Sequence, residues 1–261
     1  MYGDKTLSCS NYTLTNLFSG RYQNIKSKLI KILFKKYNVP NPILILNFKA
    51  YKVTAGKKGL ALANAAHILS INKGVKLYIA PQITDTSFFS LNTEADILAQ
   101  HCDPIIEGRG TGKVGIQNLL EIGVKGCLLN HSEYPQSIEE IVFIAKKSSE
   151  MGLKTCLCVP EPDFLANFRD AKFDMIAIEP PELIAGQVSV SKAKPQLLLR
   201  FFSEIERAHP ESLKLCGAGI KNSEDVKIAK TLGADGILVS SGFTLAKDPL
   251  LALNSLLDGF F

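Results

Sequence analysis

Five short runs in this chain carry side chains capable of chemistry: Asn47-Phe48-Lys49, Asn130-His131-Ser132-Glu133, Glu179-Pro180-Pro181-Glu182, Cys216-Gly217-Ala218-Gly219 and Ser240-Ser241-Gly242. The first three supply ionisable and hydrogen-bonding groups. Glu179 is a carboxylate able to remove a proton from carbon. His131 can polarise a neighbouring carbonyl and shuttle protons between oxygens. Lys49 can hold a phosphodianion and stabilise an enediolate, with Asn47 as an additional donor. One base with electrophilic donors is what proton abstraction next to a carbonyl requires. The last two runs are small residues with free backbone N–H groups, suited to an anion such as phosphate. No metal-ligand cluster, nucleophilic Ser/Cys–His pair or Walker loop competes with them in the sequence.

Taken singly, each residue also has a plain structural role: an ion pair for Lys49, a core hydrogen bond for His131, a loop cap for Glu179, a turn for Gly219. They act together only if one fold gathers them. From residue 42 the chain alternates short, β-branched apolar runs with longer segments of helical period. Strands are expected at Ile43–Phe48, Lys76–Ala80, Asp96–His101, Gly126–Asn130, Lys154–Val159, Met175–Ile178, Leu213–Cys216 and Gly236–Val239. Helices are expected at Gly59–Asn72, Thr84–Leu91, Gly115–Ile122, Ser137–Glu150, Phe164–Arg169, Pro195–His209, Ser223–Leu232 and Pro249–Leu257. Ser137 with Glu140 has the spacing of a capping box, and Ser223 offers a cap followed by first-turn acids. Apolar strands without alternation, separated by helices, make a parallel sheet covered on both faces. Eight such units in residues 42–261 fit a single (β/α)8 TIM barrel. A dinucleotide-binding doubly wound sheet would place Gly-x-Gly-x-x-Gly after its first strand; this chain has Asn47-Phe48-Lys49 there. In a barrel, catalytic groups sit where strands end and loops begin, and all five runs fall at such ends.

With 46% apolar and 21% charged residues in 261, the composition excludes collagen-like, low-complexity and mostly disordered chains. No apolar run approaches the roughly 18 residues of a membrane span. The net charge of +5 belongs to the leader: residues 1–41 hold seven Lys/Arg against Asp4 alone, while the remainder has 23 basic and 24 acidic residues. Without a basic face on the body, no nucleic-acid partner is expected. The leader, with its Lys28–Lys36 basic amphipathic stretch, is expected to be a poorly ordered N-terminal extension (1–41) rather than a targeting or membrane-surface segment, and 42–261 to be the barrel. Cys156-x-Cys158 lacks a second ligand pair, so the six cysteines are expected to be free core thiols in a reducing, cytoplasmic setting.

The runs Asn47-Phe48-Lys49, Leu129-Asn130-His131-Ser132-Glu133 and Ile178-Glu179-Pro180-Pro181-Glu182-Leu183-Ile184 resemble the signature segments of the triosephosphate isomerase family. The compact Glu-Pro-Pro-Glu-Leu-Ile run and the Cys216-Gly-Ala-Gly-Ile220 turn are most similar to its short archaeal-type branch, and Ala99-Gln100-His101 and Gly110-Thr111-Gly112 also match. The similarity runs from about Asn41 to the C-terminus. It implies a glycolytic and gluconeogenic isomerase, without cofactor or metal, that interconverts dihydroxyacetone phosphate and D-glyceraldehyde 3-phosphate. It implies Glu179 as the base, His131 as electrophile and proton shuttle, Lys49 and Asn47 polarising the substrate, and Glu133 orienting Lys49. That family is itself the standing example of a Glu base beside a neutral His, so these roles are carried over with the resemblance. Phosphate would rest on backbone groups near Ile184, Gly219, Ser240 and Ser241, under a lid from about Pro180 to Ala193 that excludes water. The family forms homodimers or homotetramers. After Ile184 it reads Gly-Thr-Gly, whereas this chain has Ala185-Gly186-Gln187; a Cβ at a positive-φ position costs about 1–2 kcal/mol, which would weaken lid closure. The competing readings are an isomerase of another small phosphorylated aldose–ketose pair and a catalytically silent barrel.

Overall fold

A computed structural model describes residues 41–180 and 189–261. The leader up to residue 40 and the run 181–188, which includes Ile184 and Ala185-Gly186-Gln187, lie outside the described residues. Eight strands pair in chain order, all parallel: β1 (Ile43–Asn47), β2 (Lys76–Ala80), β3 (Asp96–Ala99), β4 (Gly126–Leu129), β5 (Lys154–Val159), β6 (Met175–Ile178), β7 (Leu213–Cys216) and β8 (Gly236–Val239). β8 closes on β1 with Ile43 opposite Gly236 and Leu46 opposite Val239, so the barrel has no free edge.

Five strands keep the spans expected from sequence, and three are shorter. β1 stops before Phe48, β3 before Gln100 and β4 before Asn130. Asn130 has φ +55 and Lys49 has φ +47, conformations a strand ladder cannot hold. The polar residues at these strand ends turn out of the sheet to bond elsewhere.

The helices are α1 (Gly56–Lys73), α2 (Thr86–Asn92), α3 (Ile116–Glu121), α4 (Ile138–Met151), α5 (Val190–Ala193), α6 (Pro195–Ala208), α7 (Ser223–Thr231), α8 (Ser241–Thr244) and α9 (Pro249–Asp258). The capping box of α4 is complete: Glu140 N–H donates to Ser137 Oγ at 3.2 Å and Ser137 N–H donates to Glu140 Oε2 at 2.9 Å. α6 begins at Pro195 and buries Leu198, Phe201, Phe202 and Ile205 at helical spacing. Three expectations need correction. The segment expected as a helix at Phe164–Arg169 is a 3-10 helix, Pro162–Phe168, set off by its proline. The helix expected from Thr84 begins as a 3-10 turn at Ile83–Asp85. The cap of α7 is Asn222 rather than Ser223, its Oδ1 accepting the Asp225 N–H at 3.1 Å. The four-residue helices α5 and α8 were not expected, being too short to show a period.

Two buried layers follow from the strand alternation. Ile43 and Ile45 pack with Tyr78, Leu98, Leu128, Met175 and Leu215 inside the barrel, while Leu44 and Leu46 pack with the helices outside. Cys156 and Cys158 belong to the inner layer, and the five described cysteines are free and buried. Among the described residues no helix is long and apolar enough to cross a membrane.

His209, after α6, is buried against the edge of Phe173 with ring centroids 5.8 Å apart, and its Nε2 has no partner. Burial lowers its pKa below the ordinary histidine value. The folded state therefore resists a proton that the unfolded chain accepts. Stability is full above about pH 6.5 and falls as pH drops through that value. His101, also lowered by burial, adds to the same slope. His209→Phe is expected to flatten the loss of stability between pH 7 and 5, read from urea midpoints across that range; an unchanged slope would assign the loss to other groups.

Candidate active site

The carboxyl ends of β1, β4, β6, β7 and β8 surround a solvent-open cleft. Lys49, His131 and Glu179 line it together with Ala218–Lys221 and Leu238–Gly242.

The segment carrying Lys49 is pinned by its neighbours in sequence. Phe48 is fully buried, edge-on to Phe89 of α2 at 6.1 Å and stacked on Phe243 of α8 at 5.9 Å. Asn47 Oδ1 accepts the Lys49 N–H at 3.0 Å, closing the turn that the positive φ of Lys49 requires. Gln100 Nε2 shares its two N–H bonds among Asn47 Oδ1 at 3.2 Å, Lys49 O at 3.1 Å and Ala80 O at 3.1 Å. The Lys49 ammonium meets Glu133 Oε1 at 2.6 Å. Glu133's side chain is 58% exposed against 12% for Lys49, so this pair directs the ammonium more than it stabilises the fold.

His131 follows Asn130, whose side chain is occupied in holding the backbone. Asn130 Nδ2 donates to Cys158 O at 3.1 Å, and Asn130 Oδ1 accepts the Gln136 N–H at 3.1 Å. The Glu133 N–H donates to His131 Nδ1 at 3.2 Å. That bond needs the Nδ1 lone pair, so the proton of a neutral ring sits on Nε2 and faces the cleft. Glu179 Oε2 lies 3.7 Å from His131 Nε2, too far for a hydrogen bond, and is buried with no partner. A buried carboxylate oxygen without a donor is costly in a folded protein and is suited to receiving a proton from a bound molecule. Room for it depends on Gly217, where a Cβ would stand 2.6 Å from Glu179 Cγ.

After β7, Ala218 and Gly219 both take positive φ, at +65 and +72. A Cβ at Gly242 would come within 2.5 Å of Ile220 O, so its absence lets the β8 loop press against the β7 loop. Ser240 Oγ is buried there without a partner. Among the described residues, no group of three His, Cys, Asp or Glu is placed to hold a metal ion.

The structure thus brings Lys49, His131, Glu179, Gly219, Ser240 and Ser241 to one cleft. Asn47 does not line it; its Oδ1 is spent on Lys49 and Gln100. Ile184 lies outside the described residues. Sequence reasoning gave no site role to Gln100, although a polar residue directly after the apolar run Ile97–Ala99 was the available signal.

A family model described as triosephosphate isomerase matches residues 42–256. The triosephosphate isomerase of Methanothermus fervidus is 40% identical over 216 residues, covering 83% of this chain and 97% of the relative. That of Methanobacterium bryantii is 37% identical over 217 residues, covering 83% and 96%. That of Methanosarcina mazei is 35% identical over 217 residues, covering 83% and 98%.

Replacing Gln100 by Leu would strip a donor from three acceptors that meet at one point. The variant is expected to lose about 1–3 kcal/mol of stability by urea denaturation. A loss within a few tenths would show that water replaces the amide at no cost.

Proposed function

This chain belongs to the triosephosphate isomerase family, in its archaeal-type branch, and from that membership we propose how its residues interconvert dihydroxyacetone phosphate and D-glyceraldehyde 3-phosphate. One observation carries the reading: the unpaired Glu179 Oε2 and the Nε2 of a ring whose Nδ1 is occupied face the same space, 3.7 Å apart. Glu179 removes a proton from the carbon next to the carbonyl. The C–H electron pair becomes a carbon–carbon double bond, and the carbonyl π pair moves to oxygen, giving an enediolate. His131 Nε2–H donates to the developing oxyanion and relays the proton between the two oxygens, while the Lys49 ammonium stabilises the negative charge. Glu179 then returns its proton to the adjacent carbon, completing the exchange of aldehyde and ketone.

Asn47, whose Oδ1 accepts the Lys49 N–H, donates with its amide NH2 group beside Lys49 to polarise the substrate, and Glu133 orients the Lys49 ammonium. Backbone groups at Gly219, Ser240 and Ser241 hold the phosphate, joined by Ile184; the buried, unpartnered Ser240 Oγ supports this assignment. Residues 1–41 form an extension to the barrel of residues 42–261, and the match beginning at residue 42 supports that division. Assembly into a homodimer or homotetramer belongs to the same proposal, supported by Ile138, Val142 and Phe143, which stand exposed along α4. Cytoplasmic placement is supported by the free, buried state of the described cysteines.

A coupled assay with D-glyceraldehyde 3-phosphate tests the reading. Rapid isomerisation is expected, and Glu179→Gln is expected to slow kcat by about 10²- to 10⁴-fold. A folded protein without turnover would favour a silent barrel or a different aldose–ketose pair.

A further inference from the structure

Asp225, the third residue of α7, is buried behind the cleft and does not line it. A carboxylate at this position usually serves the helix itself by capping a free N–H or answering the dipole. Here Asn222 is already the cap, and both Asp225 oxygens reach outside α7. Oδ2 accepts the Lys221 N–H at 3.0 Å. Oδ1 accepts Ser189 Oγ–H at 3.1 Å and meets the Lys192 ammonium at 3.1 Å. The backbone carbonyl of Asp225 accepts Ser191 Oγ–H at 3.1 Å, and Val190 N–H donates to Ala218 O at 3.2 Å.

One buried carboxylate therefore ties two stretches together: Ala218–Lys221, which lines the cleft, and Ser189–Lys192. We infer that Asp225 is a positioning residue for the phosphate end of the cleft. By fixing the Ala218–Lys221 backbone against Ser189–Lys192, it aims that loop's N–H groups at the phosphoryl group of the substrate. The inference rests on the proposed function, which supplies the phosphorylated substrate. The chemical groups stand apart from it: among the described residues the Asp225 carboxylate bonds to Ser189, Lys192 and Lys221, and not to Lys49, His131 or Glu179.

The physical consequence is selective. Contacts to the remote, non-reacting phosphate lower the barrier only for substrates that carry one. Asp225→Asn keeps the shape but replaces one acceptor oxygen by an NH2 group, which cannot satisfy both Lys221 N–H and Ser189 Oγ–H as acceptor. Its kcat/KM for D-glyceraldehyde 3-phosphate is expected to fall about 10- to 100-fold, the scale of a charge-assisted hydrogen bond. Its rate of proton exchange on D-glyceraldehyde, the same aldose without phosphate, followed by NMR in D2O, is expected to stay at the wild-type level. Equal losses on both substrates would reduce Asp225 to general structural support, and no loss on either would remove it from the site; both overturn the inference. Should Asp225→Asn fail to fold, Ser189→Ala deletes a single arm of the same network and is read by the same comparison. A wild-type protein inactive on D-glyceraldehyde 3-phosphate would overturn the proposed function, and this inference with it.

Discussion

Everything else in this molecule follows from the closure of β8 on β1. A parallel sheet left open would expose a row of unpaired N–H and C=O groups on each edge. Closing it satisfies them, and because every strand runs in the same direction, it also collects all eight carboxyl ends on one rim. Side chains within the strands are consumed by packing inside and outside the barrel. Chemistry is left to residues just past the strand ends. The three non-glycine residues with positive φ among those described, Lys49, Asn130 and Ala218, all sit on that rim. Strain is concentrated where the backbone must leave the ladder abruptly to aim a functional group.

That strain is offset by side chains that bond to backbone rather than to solvent. Asn47 and Gln100 hold the turn at Lys49, Asn130 and Gln136 brace each other beside His131, and Asp225 ties the loop after β7 to Ser189. The supporting atoms are paired, whereas Glu179 Oε2 and Ser240 Oγ, on two residues that line the cleft, are buried without hydrogen-bond partners. Polar atoms in this condition are unfavourable in an empty site and ready for a substrate that supplies the missing contacts.

The opposite rim serves stability. Asp174 Oδ2 accepts the Thr155 N–H at 2.9 Å, and Asp235 Oδ2 accepts the Lys214 N–H at 2.8 Å, satisfying donors where β5 and β7 begin. His209 is buried near the same region against Phe173. The two ends of one set of strands thus divide the work, one end closing the sheet's hydrogen bonding and the other leaving reactive groups exposed to the cleft.

Composition and period were enough to establish the barrel, because a strand buried on both faces must be apolar throughout and an outer helix must carry an apolar stripe. The chemical types of Lys49, His131 and Glu179 were legible for the same reason: ionisable residues directly after apolar runs stand out. Local sequence also marked the α4 capping box, whose partners are three residues apart. What it did not contain was geometry between distant segments. Gln100 reaches back 53 residues to Asn47 and Asp225 reaches back 36 to Ser189, and neither link leaves a periodic trace. The bonds from Asn47 Oδ1 to Lys49 and Gln100 likewise leave no trace in the sequence pattern, and the strand ends at Phe48, His101 and Asn130 were placed too late. Hydrophobic pattern reports which residues are buried, but the orientation of a polar side chain depends on which donors and acceptors the closed barrel brings within 3 Å, and only the tertiary structure decides that.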